Sequence, residues 1–537
     1  MSACVLAPSL RAEDCAVTES RASLAELSGA RITSVDVASE GPHVPGIVRA
    51  ASALHHPSTD GTIRRQLLFA AGDTVDTLLV GETLRRLRQQ RLFSDAVIIA
   101  KRCTASGPVE LTVRTRDTWT LRPTARYRTP SLLSLGVEDR NLFGTGRLVS
   151  LTNEFSSRGN GTSLSLADPF VFGRDIAASG RIANLAGTHT LRLGVRQHEY
   201  SVLDGWRAEA NFARLSYGDT AVTDRALHTI AAMALVGRRV GGRGPTGLDR
   251  SGSTVTLLLA GIEFDSAASV LITSRARARD VAHVRSFVGA DIGVQRRAAQ
   301  FDTAGWVVPG RGFLDVPVGW EGEVLVGSGY ERDARTLALK HDLWVGRVWL
   351  PHRGSIVMTD GWASGYLGHR VDRNEVMRAA LSWYESARGG LWGLRLTAEE
   401  MTAIDPDRRA LSLMPLADFT APAIRPFAVR AGRSVAASIE RAVHLRQVAA
   451  NSVLDVGGFL ASSYRWRIDD VPGNALHAEV VGARLRLLSA NGTIASMRLD
   501  VGYPVGLSEK LPQKGFLVLT FGTLFDASRQ RDGRRVY

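Results

Sequence analysis

From about residue 120 to residue 525 the chain is built of short runs in which apolar and polar residues alternate, and that period of two restricts the region to β-structure. The runs LRPTARYR, GRLVSLTNEF, GTSLSLADPF and TLRLGVRQHEY share it, as do IASMRLDVGYPV and GFLVLTFGTLF near the end, and Gly, Asp and Asn punctuate them. Side chains leave a strand alternately from its two faces, so each run offers one apolar and one polar face. At about 25 residues per strand with its connection, and tilted strands of about ten residues, the region holds about sixteen strands. Such an array leaves two unpaired edges and a broad apolar face unless it closes on itself, and in lipid closure is obligatory. The expected fold is therefore mainly β, a transmembrane antiparallel β-barrel. An even strand count returns the C-terminus to the side where the chain entered. Leu517, Leu519, Phe521 and Phe525 share a face of the last strand that suits lipid, although Thr523 interrupts the row. A soluble tandem of β-sandwiches is the competing arrangement.

Composition sharpens this reading. Gly at 53 against Pro at 19 favours tight turns over Pro-rich linkers. No window of about 18 apolar residues occurs, which argues against membrane-spanning helices and leaves barrel strands untouched. The formal charge of +13 could signal nucleic acid or an anionic surface. Its arginines are dispersed, however, as at Arg114, Arg116, Arg122, Arg126 and Arg128, which suits a solvated strand face or a polar lumen. No nucleic-acid partner is expected.

Ahead of the barrel the grammar differs. Residues 1–12 resemble the tail of an export signal, and 13–30 read as a linker. Residues 31–119 read as a small α+β domain of order β-α-α-β-β. Ile32, Val35 and Val37 suggest a strand, and Ile63, Leu67 and Leu68 recur at helical spacing. Leu78, Leu79, Leu84, Leu87 and Leu92 line one side of a longer helix, with Arg85, Arg86 and Arg88 on another. DAVIIAKR and VELTVRTRD then form a hairpin around Ser106-Gly107-Pro108. Cys15 and Cys103 could pair in an oxidising compartment or remain two free thiols.

These features together resemble the BamA/TamA superfamily of bacterial outer-membrane assembly proteins (the bacterial surface antigen family), in which POTRA domains precede a sixteen-stranded barrel. ETLRRLRQQRLFSDAVI, followed by the hairpin and Asp117-Thr118-Trp119, is similar to one POTRA domain. Asp139, Asn141, Gly144 and Gly146 are similar to the family's D-x-N-x-x-G-x-G turn between early strands, and Asp168-Pro169-Phe170 to its D-P-aromatic strand end. Taken alone, these residues are an ordinary hairpin with glycines at left-handed positions. Ile424-Arg425-Pro426-Phe427 resembles a V-R-G-aromatic loop that folds into the lumen. The resemblance implies that Arg425 pairs with Glu440 and Asp455 while Phe427 accompanies it; Pro426 stands where Gly is usual. Phe525 resembles the family's terminal aromatic, with 526–537 left as a basic tail.

The resemblance implies a barrel for residues 120–525 in the outer membrane, with the leading domain and the tail in the periplasm. Its partners would be outer-membrane lipid, unfolded outer-membrane or secreted polypeptides and periplasmic accessory proteins. A POTRA-like domain would bind clients by adding their strands to its sheet. A passive or anion-preferring pore and a structural envelope barrel are the alternatives. The sequence carries no catalytic motif and no metal-spaced Cys/His cluster, so neither enzyme activity nor a cofactor is expected.

Overall fold

The computed structural model describes residues 16–18, 26–42, 56–90, 92–102, 107–128, 132–156, 159–185, 188–197, 205–218, 225–241, 254–271, 281–298, 300–303, 315–332, 335–367, 375–387, 389–402, 433–449, 452–466, 476–489, 497–507 and 515–521. The leading domain contains β1 (Ala16–Thr18), β2 (Ile32–Glu40), α1 (Asp60–Arg64), α2 (Thr77–Gln89), β3 (Phe93–Arg102) and β4 (Val109–Asp117). Beyond the short β1, the order is β-α-α-β-β. The sheet runs β1-β3-β4-β2, with β2 parallel to β4 and the other pairs antiparallel.

Local chemistry starts both helices. Thr59 caps α1 by accepting from Thr62 N, and Asp76 caps α2 by accepting from Leu78 N at 2.8 Å. Val80, Leu84 and Leu87 of α2 pack with Ile63, Ile98, Leu111 and Val113 in one core. Glu82, Arg85 and Arg86 lie outside that core and are buried too. A helix buried on its apolar and its polar side has neighbours on both. For α2 the second neighbour is the barrel.

The first barrel strands are β5 (Leu121–Arg128), β6 (Leu132–Leu142), β7 (Arg147–Ser156), β8 (Gly159–Asp168) and β9 (Ile176–Leu185). Then come β10 (Thr188–Gln197), β11 (Trp206–Gly218), β12 (Arg225–Gly241), β13 (Thr254–Leu271) and β14 (Val281–Ala298). A small hairpin of β15 (Phe301–Thr303) and β16 (Asp315–Pro317) follows. The wall resumes with β17 (Gly319–Glu331), β18 (Thr336–Trp349), β19 (Ser355–Leu367), β20 (Glu375–Ala387) and β21 (Gly390–Thr402). It ends with β22 (Arg433–Ala449), β23 (Ser452–Trp466), β24 (Leu476–Ser489), β25 (Met497–Leu507) and β26 (Phe516–Phe521). The wall is one closed antiparallel barrel of 20 strands, in which β26 returns to β5.

Twenty replaces the expected sixteen. The difference lies in the connections: β9 ends at Leu185 and β10 begins at Thr188, β20 ends at Ala387 and β21 begins at Gly390, and β22 ends at Ala449 and β23 begins at Ser452. A strand with its connection therefore takes about 20 residues rather than about 25, because tight turns need so few. Twenty is also even, so β26 descends toward the rim at which β5 begins.

The outer face matches a bilayer. Along β17, Trp320, Val324, Val326 and Tyr330 point outward and are exposed, while Glu321, Glu323, Leu325 and Glu331 point inward and are buried. Trp320 and Tyr330 lie about 33 Å apart along the strand, and a tilt of about 40° reduces that to about 25 Å of height, the span of an apolar band between aromatic girdles. At the rim nearer the leading domain, Trp206, Trp320 and Trp392 are exposed, with Arg347 over the rings of Trp320 and Trp349 at 4.9 and 5.2 Å. Arg441 lies 5.1 Å over Trp392. Tyr127, Phe155, Tyr330 and Tyr464 mark the far rim. No helix among the described residues is long and apolar enough to cross a membrane. Val326→Arg, in the middle of the band, is expected to destabilise the barrel by about 2–4 kcal/mol. Leu337→Arg at the far rim should cost about 0–1 kcal/mol. Urea titration of folding in lipid vesicles measures both.

The barrel is not round. Arg207 of β11 reaches Gln295 of β14 at 2.9 Å and Glu323 of β17 at 3.3 Å. Tyr366 of β19 donates to Asp265 of β13 at 3.3 Å, and Lys340 of β18 pairs with Glu263 of β13. Three or four strand intervals span about 14–19 Å in a flat sheet, so side chains meeting across them require a sharply curled wall. Leu235, Val255, Leu257, Leu259 and Leu325 fill one part of the curl, and Phe287 and Tyr366, with rings 5.2 Å apart, fill another.

Candidate functional site at the seam and the domain latch

Two places depart from a uniform barrel wall. The first is where it closes. Between β5 and β26, among the described residues, only Arg126, Tyr127 and Arg128 pair, with Thr520, Leu519 and Val518. By contrast, β25 and β26 share six residue pairs and β5 and β6 share eight. Each antiparallel pair contributes ladder hydrogen bonds in proportion to its length, so among the described residues this seam is the least secured join in the wall.

The second is the turn between β6 and β7, which contains Asp139, Asn141, Gly144 and Gly146. It docks into the leading domain. Asn141 is buried; its Nδ2 donates to His56 O at 3.2 Å and to Ser58 Oγ at 3.0 Å, and its Oδ1 accepts from Gly146 N at 2.8 Å. Asp139 Oδ1 accepts from Asn141 N at 2.9 Å and holds the turn's start. Gly144 O accepts from Thr59 N at 3.0 Å and from Thr62 Oγ1 at 2.8 Å, beside the first turn of α1. Gly144 has φ +73°, and a Cβ there would run into Pro57 O. Ser58 N in turn donates to Asp117 Oδ2 at 2.7 Å, which ties the docked segment to the end of β4.

Neighbouring turns complete the latch. Asp168 Oδ1 accepts from Phe170 N at 2.8 Å and its Oδ2 from Arg147 Nε at 2.8 Å, so Asp168-Pro169 closes the turn after β8. Just beyond, Asp175 receives Arg86 of α2 at 3.2 Å. Arg85 of α2 lies 4.4 Å over the ring of Phe301 in the small hairpin. The polar side of α2 is thus buried against the barrel rim. Sequence reasoning placed the arginines on that side but had no signal for Asp175 or Phe301, which lie far along the chain.

Glu440 and Asp455 stand on the adjacent strands β22 and β23 and face the lumen. Both meet cations of the wall: Glu440 pairs with Arg484 and lies 3.6 Å from Arg486, and Asp455 is 2.5 Å from His444 and 3.8 Å from Arg486. Arg484 also binds Asp500 at 2.7 Å, and Arg498 binds Asp500 at 2.5 Å. Arg484, Arg486 and Asp500 were not singled out from the sequence. Their alternate placement in ARLRLL and LDVG was the available signal, and it names a face without naming partners. Arg425, Pro426, Phe427, Phe525, the tail, Cys15 and Cys103 lie outside the described residues.

Asp342 accepts from Trp362 Nε1 at 3.1 Å and exposed His352 lies 3.6 Å from Glu385, neither arrangement containing a nucleophile. Among the described residues no His, Cys, Asp and Glu group is suited to hold a metal ion.

No family profile matches the chain, and no curated protein matches it in sequence. Solved structures do. CdiB from Acinetobacter baumannii is 11% identical, with a TM-score of 0.40 over 95% of this chain and 78% of its own. BamA from Haemophilus ducreyi lacking POTRA domains 1–3 is 11% identical, with a TM-score of 0.36 over 92% and 84%. BauA, the ferric preacinetobactin receptor of Acinetobacter baumannii, is 11% identical, with a TM-score of 0.38 over 80% and 85%. These likenesses are loose and of fold alone; the barrel and its leading α+β domain rest on the chain's own strand order, register and apolar band.

Proposed function

We propose that this chain is a bacterial outer-membrane protein that assists the insertion, assembly or translocation of polypeptides, and that it works by parting the wall between β5 and β26. The observation that carries this reading is the three-residue pairing of the seam among the described residues, where the joins on either side of it are longer. A client strand entering there would exchange backbone hydrogen bonds with a barrel edge, which needs no particular client sequence. The leading domain sits on the periplasmic side, where β2 has β4 on one side and among the described residues no strand on the other. That edge can receive an extended segment before it reaches the seam. The pairing of Arg425 with Glu440 or Asp455 remains part of this proposal.

The pore alternative calls for uncompensated lumen arginines. Arg207, Arg484 and Arg486 all meet carboxylates, which weighs against an anion filter on the described wall. The decisive experiment is a disulfide across the seam. Arg126→Cys with Thr520→Cys joins two directly opposed residues. Oxidised protein in lipid vesicles should fail to accelerate folding of a urea-denatured eight-stranded outer-membrane barrel, and reduction should restore it. Acceleration unchanged by oxidation, or steady anion-selective conductance in a planar bilayer without acceleration, overturns the reading.

A further inference from the structure

The register of β5 decides which of its backbone groups face the seam. Arg140 N donates to Thr120 O at 3.4 Å just before the strand, and the pairing of β5 with β6 continues from Leu121–Asp139 to Arg128–Leu132 without a shift. Hydrogen-bonded and non-hydrogen-bonded pairs alternate along an antiparallel ladder. Arg122, Thr124, Arg126 and Arg128 therefore bond to β6. The backbone groups of Leu121, Pro123, Ala125 and Tyr127 face the other way, toward β26. Tyr127 meets Leu519 there, and Ala125 and Pro123 are the next positions toward the leading domain. Proline has no N–H to give, and within sheets it belongs to edges. The chain has thus placed its one β5 proline on the alternate set of residues that serves the seam. One residue earlier or later, it would have broken the bond to β6 instead.

We infer that Pro123 is a stop in the seam: it denies the β5 edge a continuous ladder at its domain-side end, so that β5 and β26 part from that end first. This deepens the proposal that the seam opens, and rests on it. Pro123 is exposed on the outer face, so its role does not come from packing inside the barrel. A donor at this position would extend the set of facing N–H groups from Tyr127 through Ala125 to residue 123.

The test is amide hydrogen exchange of the full chain in lipid nanodiscs, with Pro123→Val and the milder Pro123→Ala. Both restore an N–H, and the heat-modifiable gel band shows that each barrel has folded. Exchange at Ala125, Tyr127 and Leu519 should slow by about tenfold in both. Thr124→Val, whose backbone serves β6, should leave it unchanged. Equal exchange in wild type and the proline variants overturns the inference, as does equal slowing by Thr124→Val. Slower seam exchange with undiminished client folding leaves the stop standing and removes the seam from the proposed activity.

Discussion

Replacing Asn141 with Leu should loosen the leading domain from the barrel while leaving each folded. The side chain is buried and spans the two bodies, donating to His56 O and Ser58 Oγ and accepting from Gly146 N. Leucine is nearly isosteric but offers none of these bonds, and it strands three polar groups away from water. A buried group left without its partner costs about 1–3 kcal/mol, so about 2–4 kcal/mol of docking free energy should be lost after partial rehydration. Limited proteolysis should then cut within 56–62 and near Trp119 at rates several times those of the wild type. The heat-modifiable band of the barrel should persist. Gly144→Val should act alike, since it sets a β-branched residue at positive φ against Pro57 O. If Asn141→Leu leaves protection intact, the contacts of Arg85 and Arg86 with the rim hold the domain, and the turn does not.

Arg484→Met is expected to be the most damaging single change in the lumen. Arg484 is 4% exposed, binds Asp500 through Nε at 2.7 Å and pairs with Glu440, and its guanidinium lies 5.1 Å over Phe459. Methionine fills similar volume and keeps the aromatic contact but leaves buried carboxylates short of a cation. Breaking one side of a buried ion pair typically costs about 3–5 kcal/mol. The midpoint of urea unfolding in vesicles should fall accordingly. Adding Glu440→Gln should recover much of the loss, because it removes one anion for the cation lost and leaves Arg486 near Asp455 and Arg498 on Asp500. Arg484→Lys should sit between, retaining charge without the planar fork. A double variant no better than Arg484→Met would locate the damage in packing.

The legible part of the fold was its period. A run such as GRLVSLTNEF fixes which residues share a face, and Leu151 and Phe155 do lie exposed on the outer one. The strand number was less legible, because two-residue turns leave little trace between runs and the assumed spacing was too generous. The latch was harder again. Asp139 through Gly146 reads locally as a glycine-bearing hairpin, and the groups that give it a second role, His56 O, Ser58 and Thr62, lie more than 80 residues earlier. Arg85 and Arg86 were visible as a helix face, but burial against Phe301 and Asp175 is decided by tertiary placement. Glu440 and Asp455 were reached through resemblance; the cations that meet them depend on the register of β22, β23 and β24, which no single strand encodes. Pro123 stood in plain view within LRPTARYR, yet which neighbour its missing donor would fail became readable only with the ladder in hand.

The curled wall has a geometric consequence for whatever approaches the lumen. By closing on itself from β11 to β19 and packing leucines, Phe287 and Tyr366 into the fold, the sheet spends much of its circumference enclosing its own side chains. The cross-section is therefore lopsided, and the arc not consumed in this way runs through β5 to β10 and β20 to β26. That arc is centred on the place where the first and last strands touch. Under the proposed function, a polypeptide threading the interior would travel alongside the join that is shortest among the described residues.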